Sequence, residues 1–210
     1  METGLVVAVR DLDRRSMLNL VNMRMADGIK PSEVLKELQE GMNRVIERYD
    51  RREYRTIDII VANELYKEAV NLLEPALSKE PQVSPIGKVV MGTAQGDVHD
   101  QTDVLCDLLR AVGFEVSRLG ADVAPNRFVE ELQRTNAPIL CLSGIVSSAF
   151  EGMKKTVEAV HQAGLKVKVI IGGGVTNEEV RKYVGADVQT QDAVEGVQIC
   201  KEFIKGEQSA

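Results

Sequence analysis

Up to about residue 80, apolar residues return every three or four positions, which is the period of a helix with one buried face. Leu5-Val6-Val7-Ala8-Val9 opens a short helix ending near Asp11. Asp13 can cap a second, with Leu18, Val21 and Met25 on one face and Gly28 as its stop. Pro31-Ser32-Glu33 opens a third, because proline suits a first helical turn. Its apolar positions are Val34, Leu38, Met42, Val45, Ile46 and Tyr49. A fourth helix is predicted from about Arg55 to Leu77, facing in with Ile57, Ile60, Val61, Leu65, Ala69 and Leu72. Four such helices with short connections predict a small bundle over residues 1–84. Ser78-Lys79-Glu80-Pro81-Gln82-Val83-Ser84-Pro85 carries no apolar period and two prolines, and reads as a linker.

From residue 85 the pattern becomes strand then helix, repeated. Strands are predicted at 87–92, 114–119, 138–143, 167–172 and 186–189, and helices at 102–112, 125–135, 148–163, 176–184 and 192–204. Val- and Ile-rich strands between helices predict a parallel sheet covered on both faces. Five of them suit a doubly wound, flavodoxin-like Rossmann order, 2-1-3-4-5, over residues 85–210. The fold class is therefore α/β with an N-terminal helical cap. At 44% hydrophobic and 28% charged residues, the chain is a globular one rather than a disordered one. A net charge of −6 disfavours a nucleic-acid surface, and no apolar run approaches the ~20 residues of a membrane helix. The first residues lack a signal-peptide pattern, and Cys106, Cys141 and Cys200 fit neither a zinc pattern nor a disulfide framework. Reduced thiols in a cytoplasm are expected.

In a doubly wound sheet, ligands bind beyond the carboxyl ends of the strands, where strand order reverses. Three unusual segments fall there. The first, Gly92-Thr93-Ala94-Gln95-Gly96-Asp97-Val98-His99-Asp100-Gln101-Thr102, follows strand one and holds one of the chain's two histidines. Ser143-Gly144 follows strand three, with Ser147 and Ser148 beyond, and Gly172-Gly173-Gly174 follows strand four. Glycines let something large approach the backbone, and small hydroxyls offer hydrogen bonds without filling a groove. Each segment alone is an ordinary strand-to-helix turn, and Asp100 with Asp103 can simply cap the next helix. Together they make a binding groove. A phosphoacceptor domain would want an acid ending strand three and a base ending strand five, where Ser143 and Asp187-Val188-Gln189 stand instead. A flavin phosphate would be repelled by Asp97, Asp100 and Asp103. A metal carried by a large organic cofactor fits best, because a carboxylate on one imidazole N–H leaves the other nitrogen as a donor. His161, mid-helix among polar residues, reads as a solvated position, and Cys106 and Cys141 as small core residues. Arg51-Arg52 with Arg48 and Arg55 reads as a solvated helix end or a docking patch for an acidic partner.

The run from Gly92 to Asp192 resembles the cobalamin-binding domain of corrinoid proteins and methionine synthase, whose pattern is Asp-x-His-x-x-Gly, then Ser-x-Leu, then Gly-Gly. The chain offers Asp97-Val98-His99, Ser143-Gly144-Ile145 and Gly172-Gly173 in that order. Leu119-Gly120-Ala121-Asp122-Val123-Ala124-Pro125 and Phe128-Val129 look like the family too, and Gly41-Met42-Asn43-Arg44-Val45 and Leu73-Glu74-Pro75-Ala76-Leu77 resemble its helical cap. The resemblance implies cobalamin, as methylcobalamin or a related corrinoid, with His99 as the lower axial ligand of cobalt. It implies Asp97 hydrogen-bonded to that imidazole. It places Val98, Asp100, Thr102, Ser143, Ile145, Ser147 and Gly172–Gly174 around the cofactor, the last three with Ser143 along the nucleotide tail, and Tyr54 over the upper corrin face.

Two departures stand out. Thr102 replaces the glycine that ends the first motif, and Gln101-Thr102-Asp103-Val104 replaces the usual Ile-Gly-Lys-Asn. That sets a Cβ and a hydroxyl where the resemblance routes the nucleotide tail. In the cap, Tyr54 is followed by Arg55-Thr56-Ile57-Asp58 rather than by apolar residues and a proline. The resemblance implies a non-catalytic methyl carrier that works between a substrate-specific methyltransferase and an acceptor methyltransferase. The alternatives are a cobalamin-binding sensor or adapter without methyl transfer, and a corrinoid fold that has lost its cofactor.

Overall fold

A computed structural model describes residues 2–77, 79, 84–100 and 102–208. They divide into two compact units, one ending at Ser84 and including Ala111–Gly113, the other formed by the remainder from Pro85. Of the expected linker, residues 78 and 80–83 lie outside the described residues, as does Gln101.

The first unit is helical. α1 spans Gly4–Arg10, α2 Arg14–Ala26, α3 Pro31–Asp50 and α4 Thr56–Leu77. Asp13 caps α2 as expected, accepting the Ser16 N–H at 3.0 Å and the Ser16 hydroxyl at 2.6 Å. α3 buries Val34, Leu38, Met42, Val45 and Ile46, the stripe its period predicts. Gly41 lies on that stripe because α1 comes so close: a Cβ there would stand 2.5 Å from the Val9 Cβ. On α2, Val21 is buried, but Met17 rather than Leu18 or Met25 completes the inner face. The expected phase of α4 is wrong. It buries Ile59, Ala62, Tyr66, Ala69 and Leu73, and exposes Ile57, Ile60, Val61 and Leu72. α4 is apolar over most of its circumference, so two faces fit a helical period equally well and packing against α3 selects between them.

The second unit is a parallel five-stranded sheet in the order β2-β1-β3-β4-β5, as the sequence predicts. Its strands are β1 Lys88–Thr93, β2 Glu115–Arg118, β3 Ile139–Ser143, β4 Lys168–Gly172 and β5 Val188–Thr190. The helices between and after them are α5 Asp103–Ala111, α6 Pro125–Thr135, α7 Ala149–Gln162, α8 Glu178–Val184 and α9 Ala193–Gln208. β1 is buried from Val89 to Thr93 without alternation, as a strand covered on both faces must be. One side of the core joins Val90, Leu140, Leu142, Val169 and Ile171 of the sheet to Phe128, Leu132, Met153, Val157 and Val160 of α6 and α7. Burial of this kind contributes about 25 cal/mol per Å² of apolar surface, so the sheet is the rigid base on which the loops stand. Among the described residues, no helix is long and apolar enough to cross a membrane.

Candidate functional site

Strand order reverses between β1 and β3, and the loop after β1 occupies that edge. Its geometry is organised by Asp97, whose side chain is fully buried. One carboxylate oxygen accepts the His99 backbone N–H at 2.9 Å and faces His99 Nδ1 at 2.8 Å. The other accepts the Ile145 N–H, across from β3, at 2.7 Å. Burial works against ionising Asp97, but the N–H groups of Ile145 and His99 and the imidazole outweigh it and hold its pKa below the ordinary carboxylate value. An ionised carboxylate can only accept, so Nδ1 carries a proton, and in the neutral ring that makes Nε2 the lone-pair nitrogen. The His99 side chain is 59% exposed, so that lone pair sits at the surface of the unit. Val98 beside it is 72% exposed.

The loop is tied down from three neighbours. Asp122, at φ 52, accepts the Gly96 N–H at 2.9 Å and donates its own N–H to the Asp97 carbonyl. The Ser148 hydroxyl donates to the Gly96 carbonyl at 2.7 Å. Gly96 itself has φ +99, and a Cβ there would stand 2.6 Å from the Ser148 carbonyl, so only glycine fits this turn. From the β2 side, Arg118 reaches Asp100 and Thr102.

The structure brings most of the predicted positions together. Asp97, His99 and Ile145 share hydrogen bonds. Ser143 ends β3 beside them, its carbonyl accepting the Ala94 N–H at 3.0 Å. Ser147 is exposed just beyond. Gly172–Gly174 lies against Gly144, close enough that a Cβ on Gly173 would stand 2.1 Å from the Gly144 carbonyl. Gly174 has open space around its missing side chain. Thr102 differs from expectation: it is 4% exposed, and its hydroxyl donates to Asp100 at 2.6 Å and accepts from Arg118 Nε at 2.9 Å. Its polar atom is bonded within the protein. Tyr54 belongs to the helical unit. There its hydroxyl donates to the Arg10 carbonyl at 2.8 Å and accepts from Arg48 at 2.9 Å, with that guanidinium 5.2 Å from the ring centre. Sequence reasoning missed Arg118, Asp122 and Ser148 as supports of the loop. Only the register that sets Arg118 opposite Met91 reveals the first of them.

Among the described residues there is no cluster of three or more His, Cys, Asp or Glu side chains able to cage a metal ion. The oriented imidazole of His99 suits a metal whose remaining ligands come from a cofactor.

Comparison with known proteins gives the same picture. The B12 binding domain family matches residues 87–198, and a second B12 binding domain family matches residues 1–74. A dimethylamine corrinoid protein of Methanosarcina barkeri is 31% identical over 180 residues, covering 84% of each chain. A cobalamin-binding protein from Desulfitobacterium hafniense has a solved structure with TM-score 0.73 and 37% identity, covering 95% of this chain and 96% of that one. The methanol:cobalamin methyltransferase complex of Methanosarcina barkeri contains a chain with TM-score 0.82 at 21% identity, covering 97% of this chain and 79% of that one, a likeness of fold.

Proposed function

This chain belongs to the B12 binding domain family, and on that premise we propose that it is a corrinoid methyl carrier that binds cobalamin and passes a methyl group between partner methyltransferases. The observation that carries the reading is the Asp97–His99 pair: a buried carboxylate fixes the tautomer of an exposed imidazole whose Nε2 is open to a ligand. Bound there, the corrinoid supplies a cobalt centre able to accept and release a methyl group. The residues' part is to hold and orient. His99 Nε2 would hold the metal, while Asp97 holds the ring and its Nδ1 proton, and Ile145 holds Asp97. Ser143, Ser147 and the Gly172–Gly174 turn border the groove, with Gly174 leaving the backbone bare. On this reading residues 1–84 are the family's helical domain and residues 85–210 its cofactor domain.

One partner is a methyltransferase specific for the methyl donor, the other one specific for the acceptor. The relatives named for dimethylamine support a methylated amine as the donor class. We place the protein in the cytoplasm, consistent with three free, buried cysteines.

The test is a titration of the purified chain with hydroxocobalamin, followed by reduction to cob(II)alamin and electron paramagnetic resonance. The parent should bind one equivalent and show coupling to a single imidazole nitrogen. His99→Ala should lose that coupling. A variant with the parent's signal and affinity would overturn the assignment of His99.

A further inference from the structure

We propose that Arg118 is a positioning residue for the lower ligand: it presets the downstream side of the His99 loop before any cofactor arrives. The proposal rests on the cobalamin reading for its spectroscopic arm, and on the cofactor-free chain for the rest.

His99 lies between two anchors. Upstream, Asp97 is fixed by Ile145 and Asp122, as described above. Downstream, among the described residues, the His99 carbonyl receives a long bond, 3.3 Å, from the Thr93 hydroxyl. The next residue, Asp100, carries a denser set of bonds. Its Oδ1 accepts the Thr102 N–H at 3.1 Å and the Thr102 hydroxyl at 2.6 Å, and its Oδ2 accepts Arg118 Nη2 at 2.6 Å. Arg118 also donates Nε to the Thr102 hydroxyl and pairs through Nη1 with Asp103. One guanidinium thus fastens Asp100, the Thr102 hydroxyl and the first residue of α5.

Arg118 can do this because it is itself fixed. It ends β2, in register with Met91 of β1, and the following N–H, of Leu119, donates to the Met91 carbonyl at 2.8 Å. A planar fork with donors in three directions suits the task, and a lysine ammonium would not reproduce it. Without that fork, Asp100 and Asp103 repel each other, and the hydroxyl of Thr102 loses its donor. The strand-borne arginine also accounts for Thr102. The threonine that departs from the family's glycine is the relay between Arg118 and Asp100. A glycine there would leave Arg118 Nε without its acceptor.

The experiment uses the full chain as parent, Arg118→Met and Arg118→Lys. Arg118→Met keeps the apolar stem and removes the fork. In the cofactor-free protein, hydrogen exchange of amides from Val98 to Cys106 should quicken at least about tenfold in Arg118→Met, with β3 and β4 unchanged. Hydroxocobalamin should bind about tenfold more weakly, the scale of one lost charge-assisted contact. The fraction of cob(II)alamin showing imidazole-nitrogen coupling should fall, with partial recovery in Arg118→Lys. Unchanged local exchange, or exchange quickened equally throughout the sheet, would overturn the positioning role. A parent that shows no nitrogen coupling would sink the His99 assignment instead, and the exchange measurement would still decide on Arg118.

Discussion

Replacing Asp97 by asparagine tests the centre of the site, because the two side chains have the same shape and differ in what they can accept. The carboxylate receives three donors on two oxygens: the His99 N–H, His99 Nδ1–H and the Ile145 N–H. Asparagine offers one oxygen and one amide nitrogen. With its oxygen toward His99, the amide points at the Ile145 N–H across 2.7 Å, donor against donor. Two buried polar groups then lack partners, at roughly 1–3 kcal/mol each. With the amide flipped, Ile145 is satisfied, but the amide donates to Nδ1, and the imidazole proton moves to Nε2, the nitrogen proposed as the donor. Either way the variant loses. Because Asp97 is fully buried, solvent does not compensate, and Asp97→Asn should lower the stability of the cofactor-free protein by about 2–6 kcal/mol. Urea unfolding followed by far-UV circular dichroism measures that loss. The same variant should show a reduced share of nitrogen-coupled cob(II)alamin. If it unfolds within about 0.5 kcal/mol of the parent, the case for Asp97 as the anchor fails. A parent-like spectrum would refute the tautomer argument.

Two further predictions probe the frame around the site. Glu131 on α6 is held at a pKa of about 2, chiefly by its bond to Arg134, with burial opposing and Ser117 assisting. A depressed carboxylate stabilises the fold fully above its unfolded value near 4.5, and that stabilisation disappears as the pH falls toward 2. With Arg134 69% exposed, the effect is about 1 kcal/mol after screening, so Glu131→Gln should be less stable than the parent at pH 6 and equal to it near pH 2 in thermal melts. In the helical unit, Gly41→Ala would drive a methyl into Val9 of α1, and calorimetry should show a net loss of about 1–2 kcal/mol after the ~1 kcal/mol gain in helix propensity. A more stable Gly41→Ala protein would mean that α1 is free to move aside.

How far the sequence reveals this molecule depends on the range of the interaction concerned. Element type and order follow from period and turn chemistry, both local, and the sheet order from the alternation of strand and helix. The Asp97–His99 pair is legible because its members are two residues apart. The phase of α4 is not, since Ile57, Ile60 and Val61 match the period as well as Ile59, Ala62 and Tyr66 do, and only a neighbouring helix chooses between them. Thr102 shows the same limit at a single residue. Its identity suggests a Cβ in the cofactor's path, whereas the structure buries it against a guanidinium 16 residues away.

The supports of His99 divide along that line. Asp97, two residues away, touches the ring, and residues far away in sequence hold the loop in turn: Ile145 and Asp122 hold Asp97, Ser148 and Asp122 hold Gly96, and Arg118 holds Asp100. Each distant support stands at or just beyond the carboxyl end of β2 or β3, the strands flanking β1. A one-sided loop would let the imidazole swing with its backbone. Anchoring from both flanking strands couples the position of the ring to the sheet itself, whose centre is buried on both faces. The ring stays exposed while the loop that carries it is bonded to both flanking strands. That combination suits a ligand that must meet a bulky cofactor from one side and still hold a fixed direction, because the ordering entropy of the loop is already spent before binding.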